Sequence, residues 1–297
     1  MIFSIFYICL KHKIIMKLAK SETFKYFKKS DRLSLKWDSY FLVYDKIFKK
    51  YKNKNIKFVE VGVANGGSLF IWRKFFGKKA KIIGIDANPY SKKLSKYGFK
   101  IYTGDQSDPN FWKKFFKKEG KIDIVLDDGG HKNLQQISTV HYTLPYIKDG
   151  GMIVVEDMAT SYLKKEFYNP SKFSFISFCN KIIEFINYRS GLIKKKMNFY
   201  SKKIYSIEFF DSIAVLNIDT SKCFKSNSIS NNVNDPSLNE MRNSFHFKKT
   251  REVIKNKFPF LKDSRFYNKV ERKIFYRNKL LNFKENLIIK KILRSIN

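Results

Sequence analysis

The chain has 297 residues, 43% of them hydrophobic and 17% aromatic, a composition that excludes a disordered or fibrous polypeptide and supplies the core for one α/β catalytic domain with extensions. Lys and Arg number 60 against 26 Asp and Glu, and a formal charge of +34 points to an anionic partner such as nucleic acid or a membrane surface. Lysine is spread along the chain beside Asn, Ile and Phe, so compositional drift with a solvated surface is the weightier reading, with peripheral contact to an anionic membrane kept beside it.

Met1 to Leu10 is apolar but shorter than the roughly twenty residues that a membrane span needs, and it lacks the basic start and small-residue cleavage site of a signal peptide. Met16 opens an ordinary soluble-looking sequence. Residues 1–35 therefore read as an N-terminal extension, with Met16 as a second candidate start beside Met1 that would make residues 1–15 a start-site artefact. Cys9, Cys179 and Cys223 are widely spaced without metal-type pairing, which suits a reducing cytoplasm.

Lys57 to Val63 is a β-branched run that enters a glycine-containing turn, and helical character follows over Ser68 to Phe76. Lys81 to Asp86 repeats the strand signal and ends on an acid. Lys100 to Thr103 is a third strand, before Asp105-Gln106 and a helix over Pro109 to Lys118 with proline in its first turn. Ile122 to Leu126 is a fourth strand and runs into Asp127-Asp128-Gly129-Gly130-His131. Asn133 to Ile147 reads as helix, Asp149-Gly150-Gly151 as a turn, and Met152 to Val155 as a fifth strand that ends on Glu156-Asp157. This alternation predicts a doubly wound, Rossmann-like parallel sheet. Ile204 to Phe209 and Ile213 to Ile218 are joined too closely for anything but an antiparallel hairpin. The expected organisation is a catalytic domain over residues 36–218, then a polar loop and a basic helical extension over 219–297.

Every unusual cluster falls at the carboxyl end of a strand, where open α/β sheets bind ligands. Glu60, Gly62, Asn65, Gly66 and Ser68 belong to a glycine-rich strand-to-helix turn that lets a ligand approach the backbone, although a purely structural tight turn explains it equally well. Asp86 is placed to accept both hydroxyls of a ribose. Asp105-Gln106 reads either as a grip on an adenine edge or as a helix cap.

Asp127, Asp128, Glu156 and Asp157 close two strands expected to be neighbours. Carboxylates that close repel one another unless a cation compensates, and a hard divalent ion such as Mg²⁺ does so with coordination positions to spare. We assign Asp128, Glu156 and Asp157 as its ligands, with Asp127 nearer the cofactor. His131 in the same loop is the candidate general base, imidazole being the side chain that exchanges protons near neutral pH. His12, His141 and His246 carry no comparable context.

Asp127-Asp128-Gly129-Gly130-His131, then Gly150-Gly151, Val155-Glu156-Asp157 and Thr160-Ser161-Tyr162, resemble the metal-dependent O-methyltransferases of macrolide-attached and rhamnosyl sugars, a family often labelled cephalosporin hydroxylase. Trp37-Asp38-Ser39-Tyr40, Glu60 to Ser68, Gly84-Ile85-Asp86 and Gly104-Asp105-Gln106-Ser107-Asp108 match as well, so the resemblance covers residues 36–163. It implies S-adenosylmethionine (SAM) at Glu60, Gly62, Asp86, Asp105 and Gln106, Mg²⁺ at Asp128, Glu156 and Asp157, and a base at His131. It also implies a sugar, glycoside, nucleotide-sugar or surface-polysaccharide precursor as acceptor, with a homo-oligomer as a further expectation. Residues 165–297 carry no family pattern. A nucleic-acid methyltransferase is the alternative favoured by the basic tail. A non-haem iron hydroxylase wants two histidines and one carboxylate, and a non-catalytic metal-binding protein completes the alternatives.

Overall fold

A computed structural model describes residues 16–163, 173–229, 283, 286–292 and 294. The start-site question, most of the polar loop and most of the basic extension lie outside these residues. The chain divides into two units, residues 1–228 and 229–297. Among the described residues of the second, 286–292 are helical and exposed.

Among the described residues of the first unit there are seven strands: β1 Lys57–Val61, β2 Lys81–Asp86, β3 Lys100–Thr103, β4 Ile122–Asp127, β5 Ile147–Val155, β6 Ile204–Phe210 and β7 Ile213–Ile218. They form one sheet in the order β3-β2-β1-β4-β5-β7-β6, with β1 to β5 parallel and β7 antiparallel to both β5 and β6. Five parallel strands and a closing hairpin is the expected architecture. The hairpin's second strand, β7, is the one that pairs with β5.

The helices are α1 Glu22–Lys28, α2 Asp38–Phe48, α3 Gly67–Phe76, α4 Pro109–Glu119, α5 Asn133–Thr143 and α6 Phe175–Asn187. Strand residues alternate between two apolar layers because successive side chains leave a strand on opposite faces. Ile124, Leu126, Met152 and Val154 face a layer with Phe41, Tyr44, Phe48, Trp72 and Phe76 of α2 and α3. Val125, Ile153 and Val155 face Trp112, Phe116, Val140 and Cys179 of α4, α5 and α6. The result is a three-layer sandwich in which the central strands β1 and β4 are buried along nearly their whole length and the edge strands β3 and β6 are partly exposed. Residues before 36 join the first layer: Leu18 is buried, and Thr23 at the start of α1 is fully so.

Two expectations shift. The helix expected to reach Ile147 ends at Thr143, and a 3-10 turn over Leu144–Tyr146 follows, since Pro145 has no amide to continue the ladder. The expected turn at Asp149-Gly150-Gly151 lies inside β5, as an irregularity in its pairing with β4.

Candidate active site

The strand order reverses between β1 and β4, and a cavity of about 810 Å³ opens at the carboxyl ends of the strands around that switch point. Gly62, Asn65, Ser68, Asp86, Asp105, Gln106, Asp128, His131, Glu156 and Asp157 all line it. Glu60, Asp127 and Gly66 are not among its lining residues.

The floor is the turn after β1. Gly62 has φ 84°, and any Cβ there would run into the carbonyl oxygen of Asp128, so this turn and the loop after β4 close on each other only through glycine. Asp86 Oδ2 accepts hydrogen bonds from the Val63 and Ala64 amides at 3.0 and 2.8 Å, and Oδ1 accepts from Asn88 N at 2.8 Å. A carboxylate has about four acceptor sites, so bracing the turn with three amides leaves about one for a ribose hydroxyl. Ser68 Oγ donates to Glu60 Oε2 at 2.8 Å, while Glu60 Oε1 is buried with no hydrogen-bond partner. Burial pushes the Glu60 carboxyl up to about 7, against the opposing charge of Lys36.

Gln106 is committed to the protein itself. Its Nε2 donates to Asp127 Oδ1 and Oδ2 at 3.0 Å each, and its Oε1 accepts from Gly130 N at 3.0 Å. The amide therefore ties the loop after β3 to the loop after β4, and only its position on the cavity wall supports a cofactor contact. Asp127 is 1% exposed, and burial pushes its carboxyl up to about 6. Asp105 accepts from the amide and hydroxyl of Ser107, while Asp108 caps α4 by accepting from Asn110 N at 2.8 Å.

The ends of β4 and β5 bring three side chains together. His131 Nε2 lies 3.6 Å from Asp157 Oδ2 and 4.0 Å from Asp128 Oδ1, and Asp128, His131 and Asp157 each present a ligand atom within 4.8 Å of the others. Glu156 sits beside them, fully buried, with its oxygens taken by Tyr44 Oη at 2.5 Å and Lys36 Nζ at 2.8 Å. Helix α2 furnishes the rest of this wall. Trp37, Tyr40 and Tyr44 share one helical face. Trp37 Nε1 and Tyr40 Oη donate to Asp157 Oδ1 at 3.0 and 2.9 Å.

Sequence reasoning gave no role to Lys36, Tyr40 or Tyr44. Lys36 Nζ lies 2.5 Å from Asp128 Oδ2 as well as 2.8 Å from Glu156 Oε2. Desolvation alone would lower its pKa, but the charges of Glu156 and Asp128 outweigh burial and hold the ammonium protonated well above the ordinary lysine range. The available signal was the aromatic spacing behind Trp37, which aims one helix face at the acids.

No family model matches the chain. It is 33% identical over 126 residues to mycinamicin VI 2''-O-methyltransferase of Micromonospora griseorubida, covering 40% of this chain and 31% of that one. It is 32% identical over 138 residues to 8-demethyl-8-alpha-L-rhamnosyl tetracenomycin-C 2'-O-methyltransferase of Streptomyces olivaceus, covering 43% and 35%. The chain thus spans about a third of the length of these curated relatives. Among solved structures, the MycE methyltransferase of the mycinamycin biosynthetic pathway, in complex with Mg and SAH, superposes with a TM-score of 0.59 at 24% identity, over 67% of this chain and 54% of that one. That likeness shows the methyltransferase fold.

Proposed function

We propose that the chain is a SAM-dependent O-methyltransferase that uses a divalent metal to methylate a hydroxyl of a sugar, as a glycoside, nucleotide-sugar or polysaccharide precursor. The carrying observation is the convergence of Asp128, His131 and Asp157 on the same cavity as the glycine turn after β1. The relatives are named for methyl transfer to sugar hydroxyls, and the MycE complexes contain Mg, SAH and, in one, mycinamycin VI.

The residues present fit both groups. Gly62, Asn65 and Ser68 of the turn line the cavity, Asp86 retains acceptor capacity, and Glu60 lies buried behind the turn. Asp128 and Asp157 offer carboxylate oxygens of the kind Mg²⁺ favours, and Glu156, whose oxygens Tyr44 and Lys36 hold, lies beside them. Bound there, the ion would supply Lewis-acid acidification of the acceptor hydroxyl.

The chain's own residues account for the remainder. His131 accepts the hydroxyl proton at Nε2 while the hydroxyl oxygen bonds to the methyl carbon and the sulfonium carbon–sulfur bond breaks, leaving a methyl ether and S-adenosylhomocysteine. Asp157 Oδ2, 3.6 Å away, stabilises the imidazolium that forms. Trp37 and Tyr40 fix that carboxylate in turn. A screen of nucleotide-sugars and glycolipid fractions for methyl uptake from labelled SAM tests the reading. Magnesium-dependent uptake by a sugar hydroxyl supports it, and uptake only by nucleic acid overturns it.

A further inference from the structure

The proposed chemistry leaves the most buried cation of the cavity without a task. The Lys36 side chain is 3% exposed and its ammonium bridges the carboxylates of Asp128 and Glu156 from two different strand ends. Little water reaches it, and these two carboxylates, the charge of the buried Glu60 and the face of Tyr44, 6.0 Å away, are its main surroundings. Burying an ammonium is costly unless it is matched by anions, and burying neighbouring carboxylates is costly unless they are matched by a cation. Each therefore stabilises the other.

We infer that Lys36 is the resident cation of the metal site: its ammonium holds Asp128 and Glu156 together when no divalent ion is bound, and yields oxygens to the ion when one enters. The inference rests on the proposed reading that these carboxylates take a divalent ion. Two consequences follow, and the first distinguishes it from a scaffolding role. Entry of an ion competes with Lys36 for the same oxygens, so the lysine lowers ion affinity; two positive charges a few ångströms apart in a poorly solvated site repel strongly. The lysine also spares the metal-free protein the mutual repulsion of its acids, which would otherwise weaken the folded state before the ion arrives.

The test is a calorimetric titration of Mg²⁺ and Mn²⁺ into wild type, Lys36→Met and Lys36→Gln, with metal-free melting temperatures recorded alongside. Both variants should bind the ion about tenfold more tightly than wild type, a coupling of ordinary size, and melt at lower temperature without it. Lys36→Arg, which keeps the charge, should not gain affinity. Should a variant be too unstable to titrate, the ion concentration giving half of the rise in melting temperature reads the same affinity. Equal or weaker ion binding in Lys36→Met and Lys36→Gln, with wild type binding normally, overturns this inference alone. No ion binding in any of the proteins overturns the metal reading itself.

Discussion

The Thr160 hydroxyl lies 2.8 Å from the carbonyl oxygen of His131 and 2.8 Å from that of Asp157, clasping the loop after β4 to the loop after β5. His131 and Asp157 both hold left-handed backbones, at φ 57° and 52°. For residues other than glycine such conformations cost about 1–3 kcal/mol each and persist only where surroundings enforce them. Thr160→Val removes the clasp with little change of volume. Methyl transfer should fall by about tenfold, as a small misplacement of a base can cause, while SAM affinity stays within about twofold. Unchanged turnover would show that the clasp does not position the base.

Metal dependence should follow from Asp157. Asp157→Asn preserves shape and the tryptophan and tyrosine contacts but removes the charge. Its Mg²⁺ affinity should drop by about tenfold or more, read by calorimetry, and chelator-treated wild type should lose methyl transfer until Mg²⁺ is restored. Full activity after exhaustive chelation would contradict the carboxylates' assignment.

Gly62 offers a test of the fold beneath the site. Gly62→Ala forces a methyl group into the Asp128 carbonyl and demands a left-handed backbone of a residue that resists it. We expect destabilisation of about 2 kcal/mol or more in urea denaturation, with SAM binding weakened because the two loops move apart. A loss below about 0.5 kcal/mol would mean that the loops are not in register as described.

Strands and their acidic ends were legible in the sequence because buried parallel strands are short apolar runs, and Asp86, Asp127-Asp128 and Glu156-Asp157 interrupt them where the chain leaves the sheet. The convergence of His131 with Asp128 and Asp157 followed from β4 and β5 being neighbours. Lys36 could not be read this way. Its partners lie 92 and 120 residues further along, and a lysine among 60 basic residues has no local mark that separates it from the solvated ones. Gln106 shows the reverse: its local context suggested a ligand contact or a cap, and long-range hydrogen bonds to Asp127 and Gly130 decide its orientation. The start of β5 was misjudged because Asp149-Gly150-Gly151 has turn composition: the backbone does turn locally there, with Gly150 at φ 80°, but as a bulge between Ile147 and Met152, both paired with β4.

Acid–base behaviour of the buried Glu60 gives a fourth test. Its carboxyl is raised by burial from an ordinary 4.5 to about 7. The folded state therefore binds the proton more tightly than the unfolded chain does. That contribution to stability is complete below about pH 4.5 and is lost as pH climbs through about 7. Glu60→Gln is neutral throughout, so metal-free Glu60→Gln should gain stability over wild type between pH 4.5 and 8, on the order of 3 kcal/mol. Urea denaturation across that range measures it, and parallel curves for the two proteins would rule out a buried, raised carboxyl.

The most direct measurement of the central claim is the comparison of wild type with His131→Ala for SAM affinity and for methyl transfer to a sugar acceptor under saturating Mg²⁺. A general base contributes about a hundredfold to ten-thousandfold. The account predicts a loss of turnover of that size with SAM affinity within about twofold of wild type. Turnover preserved in His131→Ala, or SAM binding lost with it, would contradict the assignment of one cavity in which cofactor, cation and base occupy separate residues.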